Sequence, residues 1–510
     1  MENIDSNPDS NNEGDIDSDG QGTTDSAMSN DTGSDSAVTP DARTTSMGGR
    51  RRSGLYVPLN QGPVVPNLSR RRFIGGLGGL GIGAAGLGVS GLLAACGDDD
   101  GGRAAGNGGN GGNGGGTIRI GLVTPRTGAL APFGQADDFV LTTMRERLAD
   151  GVELGGATYT IEILDRDSQS MSDRAAQVAQ ELIVDDGIDL MVVGDTPDTT
   201  NPVADQCEAN GVPCISTLAP WQPYYLGRGG APDDTEPAFQ WTYHFFWGLE
   251  DVIATFLNLW SQIETNQIVA GLFPNDPDGN AWGDPELGFP PPLQEAGYTI
   301  VDPGRYTNGT TDFSAQIGEY NSANCQILTG VPIPPDFTNF WTQAVQQGFT
   351  PQIASVGKAL LFPSAIEALG DIGIGLSSEV WWSPSHPFSS SLTDQSASEL
   401  ADQFTEDTGA QWVQSIGFMH AVFEVAVDVL QRSSDPKDPN AIIESVQGTQ
   451  LDTVVGTIDW ATGPVPNVAK TQLVGGQWRA GTEFPYELII VDNTDFPEVP
   501  TTGSLEPIEV

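Results

Sequence analysis

AAQVAQELIVDDGIDLMVVGD, residues 175–195, reads as an amphipathic helix that runs through a glycine turn into a short, continuously apolar strand. A strand without polar alternation is buried on both faces, and such strands occur where helices cover a parallel sheet. The same pattern lies on either side. TIRIGLV (117–123) leads to a helical segment near 134–149, TYTIEIL (158–164) to one near 172–185, and DLMVVG (189–194) to one near 200–210, before VPCIST (212–217). Strands alternating with helices in this way predict an α/β body built on a parallel sheet.

The alternation resumes after Trp247. A helix is expected near 249–263, then strands QIVAGLF (267–273), YTIVD (298–302), CQILTG (325–330) and QIASVG (352–357). Helices near 396–407, 413–432 and 439–447 follow, with strands near 454–459, 470–474 and 486–491. A body running from residue 117 to residue 510 exceeds the usual size of one hydrophobic core, so two lobes are expected.

Upstream lies SRRRFIGGLGGLGIGAAGLGVSGLLAAC, residues 69–96, in which Arg70, Arg71 and Arg72 precede an uncharged run containing nine glycines. Glycine costs roughly 1 kcal/mol per residue in a helix relative to alanine, which favours a transient targeting segment over a stable membrane anchor. The arginines resemble a twin-arginine export signal. Leu93, Ala94, Ala95 and Cys96 resemble a lipobox, whose cysteine becomes the first residue and carries lipid. Residues 1–68, rich in Asp, Ser, Asn and Gly, cannot pack a core and read as a disordered acidic leader, with Met47 as a plausible downstream start. Residues 97–116 read as a flexible Gly/Asn/Asp tether with a mean reach of about 25 Å. The working part of the chain is therefore expected outside the cytoplasm, lipid-anchored to the outer face of the membrane.

The chain carries 68 acidic and 21 basic residues, a formal net charge of -47, and its lysines are Lys358, Lys437 and Lys470. A field this negative repels nucleic acid and anionic membranes. Acidic chains poor in lysine resemble proteins of salt-loving organisms, where ionic strength screens self-repulsion; an ordinary acidic secreted protein is the other reading. Cys207 and Cys214 fall at a helix end and the next strand start, so either a disulfide or two reduced, buried thiols fits an exported protein. Cys325 opens an apolar strand and is expected in the core. His244, His386 and His420 have no metal-ligand spacing, and neither G-x-S-x-G nor a phosphate-binding P-loop occurs. No catalytic residue, metal site or cofactor is expected.

IRIGLVTPRTGALAPFG (118–134), the opening run 175–195, VVGTIDW (454–460) and GGQW (475–478) together resemble the type I periplasmic binding proteins, in particular the branched-chain amino-acid (Leu/Ile/Val) receptors of ABC transporters. The resemblance spans roughly residues 117–493. It implies two Rossmann-like lobes with parallel sheets, joined by three crossover strands and closing on a ligand. The first lobe would comprise 117–242 and 384–453, the second 243–383 and 454–510.

In open α/β sheets ligands bind beyond the carboxyl ends of the strands. That rule selects Thr127 and Phe133 after the first strand, with Arg126 nearby. It selects Asp195 and Thr196 after the third, Thr217 and Trp221 after the fourth, and Asp278, Asn280 and Trp282 in the loop NDPDGNAWG (275–283). Lys358 follows a later strand, and Trp381, beside Trp382, sits near a crossover. Trp247, Trp260 and Trp341 lie on helical patterns and are expected in the core. The loop at 276–280 also resembles the start of a calcium loop, but Leu287 stands where the twelfth-position glutamate belongs, so a turn or ligand loop is the better reading. The paired serines of the amino-acid receptors are replaced by Asp195, Thr196 and Pro197, and Pro220 with Trp221 replaces a carboxylate-gripping hydroxyl. Lys358 stands close to the position that the family gives to an acidic partner of the ligand ammonium. A cleft lysine suggests an anionic, carboxylated ligand such as an amino acid or related organic acid; a helix-capping or salt-bridging lysine is the alternative.

The sequence thus points to a monomeric, lipid-anchored solute-binding protein that delivers a small carboxylated metabolite to an ABC permease. A ligand-sensing receptor for a membrane signalling partner keeps the same fold, and an extracellular hydrolase is a third reading.

Overall fold

The computed structural model describes residues 114–509. The leader, the arginine signal, Cys96 and nearly all of the tether lie outside them. Its strands in chain order are β1 (Gly114–Thr124), β2 (Val152–Leu154), β3 (Ala157–Asp167), β4 (Leu190–Gly194), β5 (Cys214–Thr217) and β6 (Thr242–Phe245). There follow β7 (Ile268–Leu272), β8 (Thr299–Val301), β9 (Ile327–Gly330), β10 (Ile353–Val356) and β11 (Ser377–Val380). The last are β12 (Gln450–Thr453), β13 (Gly456–Asp459), β14 (Val468–Ala469), β15 (Val474–Ala480) and β16 (Tyr486–Asp492).

Two seven-stranded sheets result, ordered β14-β6-β5-β4-β1-β3-β2 and β16-β15-β11-β10-β9-β7-β8. All pairings in the first are parallel except the edge strand β2 on β3. In the second, β15 and β16 add antiparallel strands beyond β11. The α/β architecture with two lobes is as the strand–helix alternation predicts. The chain passes between the sheets after β6, after β11 and after β14. The third passage comes later than the family boundary at 453 suggests: β12 and β13 pair with each other, and β14 pairs with β6 of the first sheet. Residues 454–469 therefore sit with the first lobe.

The run 175–195 folds as its periodicity demands. Helix Ser172–Gln180 continues as a wider turn, Glu181–Asp186, and stops at Gly187, whose φ of 64° suits a residue without Cβ. Fully buried β4 follows at once. Across the interior of the first lobe lies helix Ser415–Arg432, buried over nearly its whole length and packed on β4 and β5. Gly417 lets it approach the crossover: a Cβ there would meet Trp382 Cδ1 at 2.4 Å.

Cys207 and Cys214 are buried free thiols in side-chain contact, the second of the two readings, and Cys325 is buried as expected. Burial pushes the Cys207 thiol well above its ordinary value, and the neighbouring Cys214 adds to the shift. Among the described residues no helix is long and apolar enough to cross a membrane.

Gly417→Ala is expected to destabilise the protein by roughly 1–3 kcal/mol, because the added methyl forces Trp382 or the helix to move. Chemical denaturation of the two proteins measures it; equal midpoints would mean that the helix adjusts freely.

Candidate functional site between the lobes

The carboxyl ends of the parallel strands of both sheets face one cavity. Phe133 reaches it after β1, Thr196 after β4, Leu218 after β5, and Phe246 with Trp247 after β6. From the second lobe come Asp278 and Trp282 after β7, Val331 after β9, Lys358 and Leu361 after β10, and Glu379 with Trp381 at the end of β11. The cavity is narrow, with about 20 Å³ available to the centre of a water-sized sphere. Phe133 of the first lobe meets Phe362 of the second edge-on at 4.9 Å.

Lys358 anchors the polar wall. It takes a φ of 61°, uncommon for a residue with a side chain, immediately after β10. Its Nζ lies 2.8 Å from Asp278, 3.2 Å from Asp276 and 3.7 Å from Asp198, the last on the opposite lobe. Burial works to lower its pKa, but the three carboxylates outweigh that and hold it well above its ordinary value. Asp276 also caps helix Pro277–Trp282, accepting the Gly279 N–H at 2.7 Å. The cation held by the loop NDPDGNAWG is thus the lysine ammonium.

The other acids are raised by burial. Asp278 is pushed up to about 6 by desolvation, against the pull of Lys358. Asp195 reaches about 8 although the Thr199 hydroxyl and the Thr196 N–H donate to it. Glu379 reaches about 7, its carboxylate accepting from the Ser378 hydroxyl at 2.9 Å and from the Lys358 N–H. Gln414, on the first lobe, fixes this corner by accepting the Trp381 N–H at 2.8 Å and donating to the Glu379 carbonyl.

Five buried polar atoms on the lining have no hydrogen-bond partner: Thr196 Oγ1, Asp278 Oδ1, and Nε1 of Trp247, Trp282 and Trp381. Buried polar groups are normally satisfied, so their convergence on one cavity makes it the candidate site.

Of the residues expected at a site, Phe133, Thr196, Asp278, Trp282, Lys358 and Trp381 come together here. Asp195 lies behind Thr196, its carboxylate turned to its own helix start. Thr127 donates to Asp167 at 2.6 Å on the exposed rim, and Thr217 donates to the Phe245 carbonyl at 2.8 Å. Trp221 donates to Glu250 at 3.1 Å and Asn280 to Asn275 at 3.3 Å, so neither lines the cavity. Trp382 donates to the Val454 carbonyl instead. Trp247, Trp260 and Trp341 are buried core residues as expected, and Trp247, between β6 and helix Leu249–Trp260, also lines the cavity. Glu379 was not singled out in the sequence; its signal was a lone acid ending a short strand before two tryptophans.

A periplasmic binding protein family profile matches residues 117–481, and the chain belongs to that family. Its fold is that of the type I members. A leucine-binding protein from Thermotoga maritima superposes with a TM-score of 0.60 at 19% identity, covering 74% of this chain and 99% of the other. A branched-chain amino-acid transporter substrate-binding protein from Streptococcus pneumoniae, solved with isoleucine, gives 0.58 at 15% identity over 73% and 99%. A solute-binding protein of an ABC transporter from Rhodopseudomonas palustris, solved with 3,4-dihydroxybenzoic acid, gives 0.58 at 18% over 74% and 99%. Among curated proteins no sequence matches.

Lys358→Met leaves three aspartates without their cation, and the expected loss is about 3–5 kcal/mol at pH 8. The loss should shrink towards pH 5. Carboxyls whose folded pKa is raised, as that of Asp278 already is, hold their protons better folded than unfolded, so stability returns as pH falls. Urea unfolding at both pH values checks this; a loss independent of pH would place the cost in packing.

Proposed function

We propose that the protein is an extracytoplasmic solute receptor of an ABC importer, lipid-anchored through Cys96, which captures a small molecule between its lobes and delivers it to a membrane permease. The observation that carries this reading is the cavity whose walls come from both lobes and whose unpaired donors and acceptor converge on one space. Contacts from both walls exist together only in the closed state, so a ligand that uses both stabilises closure. The protein binds and releases its solute unchanged, as a monomer, and its acidic surface suits a salt-rich exterior. A carboxylated metabolite, the class that a cleft lysine alone suggests, loses its counter-ion here because Lys358 already holds three carboxylates.

A thermal-shift screen in high salt, spanning amino acids, amines, aromatic acids, short-chain acids and amides, tests the receptor reading. A ligand present at a hundred times its Kd should add about 2.7 kcal/mol of stability; no shift from any small molecule would sink it. Cys96→Ala should abolish incorporation of labelled fatty acid and release the protein from membranes of expressing cells. Unchanged membrane retention would remove the lipid anchor.

A further inference from the structure

We propose that the interlobe cavity selects a protonated organic amine bearing a neutral oxygen acceptor, an amino alcohol or amino amide, in preference to a carboxylic acid or an amino acid. This rests on the receptor reading above and names the chemistry of its ligand.

The charge balance at the cavity is one-sided. A single ammonium, that of Lys358, is held by Asp198, Asp276 and Asp278, and a fourth carboxyl, Glu379, stands in the wall. These groups are nearly all withdrawn from water: Lys358 is 4% exposed, Asp278 3% and Glu379 1%. An anionic ligand would bring further negative charge into a buried site that already has an excess of it, whereas a cation supplies the missing countercharge. Asp278 Oδ1 has no donor, although Oδ2 of the same carboxylate contacts Lys358 at 2.8 Å. An ammonium N–H on the ligand fits that vacancy in the hydrogen-bonding pattern.

The apolar walls agree. Trp381 stands edge-on to Phe246 at 5.3 Å, and Trp282 stacks on Phe289 at 4.8 Å, so the indoles are held rigidly and offer ring surface to a cation. Their N–H groups and the Thr196 hydroxyl lack partners and call for an acceptor on the ligand. A hydroxyl or carbonyl oxygen meets that need without adding a negative charge. The carboxylate of an amino acid would also meet it, but in this narrow cavity it would share space with Glu379 and Asp278.

Glu379 links this preference to pH. Burial raises its carboxyl to about 7, opposed by hydrogen bonds from its own backbone, Ser378 and Lys358, while the charge of Asp278 adds to the rise. The charged groups facing it are Asp278 from the loop after β7 and Lys358 from the turn after β10. A cation favours the ionised form, so affinity for an amino alcohol, whose ammonium keeps its proton across this range, rises as pH goes from 6 to 8.

The test is calorimetry on the purified protein with matched sets of one body and four head groups. For a leucine body these are leucinol, leucinamide, leucine and 4-methylpentanoate; alanine and phenylalanine bodies make the second and third sets. In the set whose body fits, the amino alcohol or amide should bind at least tenfold tighter than the amino acid, and the acid should not bind. Glu379→Gln should weaken amine binding about tenfold and flatten its rise between pH 6 and 8. Trp381→Phe, which keeps a ring and removes the N–H, should cost several-fold. Tighter binding of the amino acid or the acid, or shifts in the wider screen from uncharged solutes only, overturns the proposal and leaves the receptor reading standing. A screen silent to every solute overturns both.

Discussion

Lys358 and the three aspartates around it are the interaction on which the site depends. A buried ammonium is tolerated only when paired, and here the pairing draws together a turn after β10, the capped loop after β7 and a helix start on the opposite lobe. One group of charges thereby orders the loop, spans the cleft and sets the electrical sign of the cavity. Its left-handed backbone has a further effect, since the Lys358 N–H is directed at Glu379 and ties the lysine to the acid at the end of β11.

The aromatic wall does complementary work. Phe133 and Phe362 meet across the cleft, and Trp381, Phe246 and Phe418 pack edge to face where the chain crosses between lobes. The largest hydrophobic cluster consequently runs without a break from the first lobe into the second. Apolar surface from both lobes is buried together there, and the polar atoms left without partners stand among it.

Most of the architecture was legible in the sequence because burial on both faces leaves an unmistakable record. DLMVVG, QIVAGLF and QIASVG fall on β4, β7 and β10 within a residue or two. Short or edge elements were harder to read. β14 has two residues, and its pairing with β6 moved residues 454–469 into the first lobe, since strand pairing over more than two hundred residues leaves no local periodicity. At the site, the rule that ligands gather at strand carboxyl ends brought Phe133, Thr196, Asp278, Trp282, Lys358 and Trp381 to the cavity. Thr127, Thr217, Trp221 and Asn280 stand outside its lining, their polar atoms taken by nearer protein partners.

By itself the sequence determined the α/β class, the two lobes and the loops that meet between them, because hydrophobic periodicity and turn residues are local properties of the chain. It also carries, at 69–96, three arginines followed by an uncharged, glycine-rich run, which is read from the residue types in order. Only the tertiary structure decided what Lys358 means. Its partners Asp198 and Asp276 stand far away in the chain, the latter 82 residues distant, and a lysine read alone suggests an anion. Folding surrounds it with carboxylates, and the charge of a buried site belongs to the sum of the groups brought together and not to any one residue.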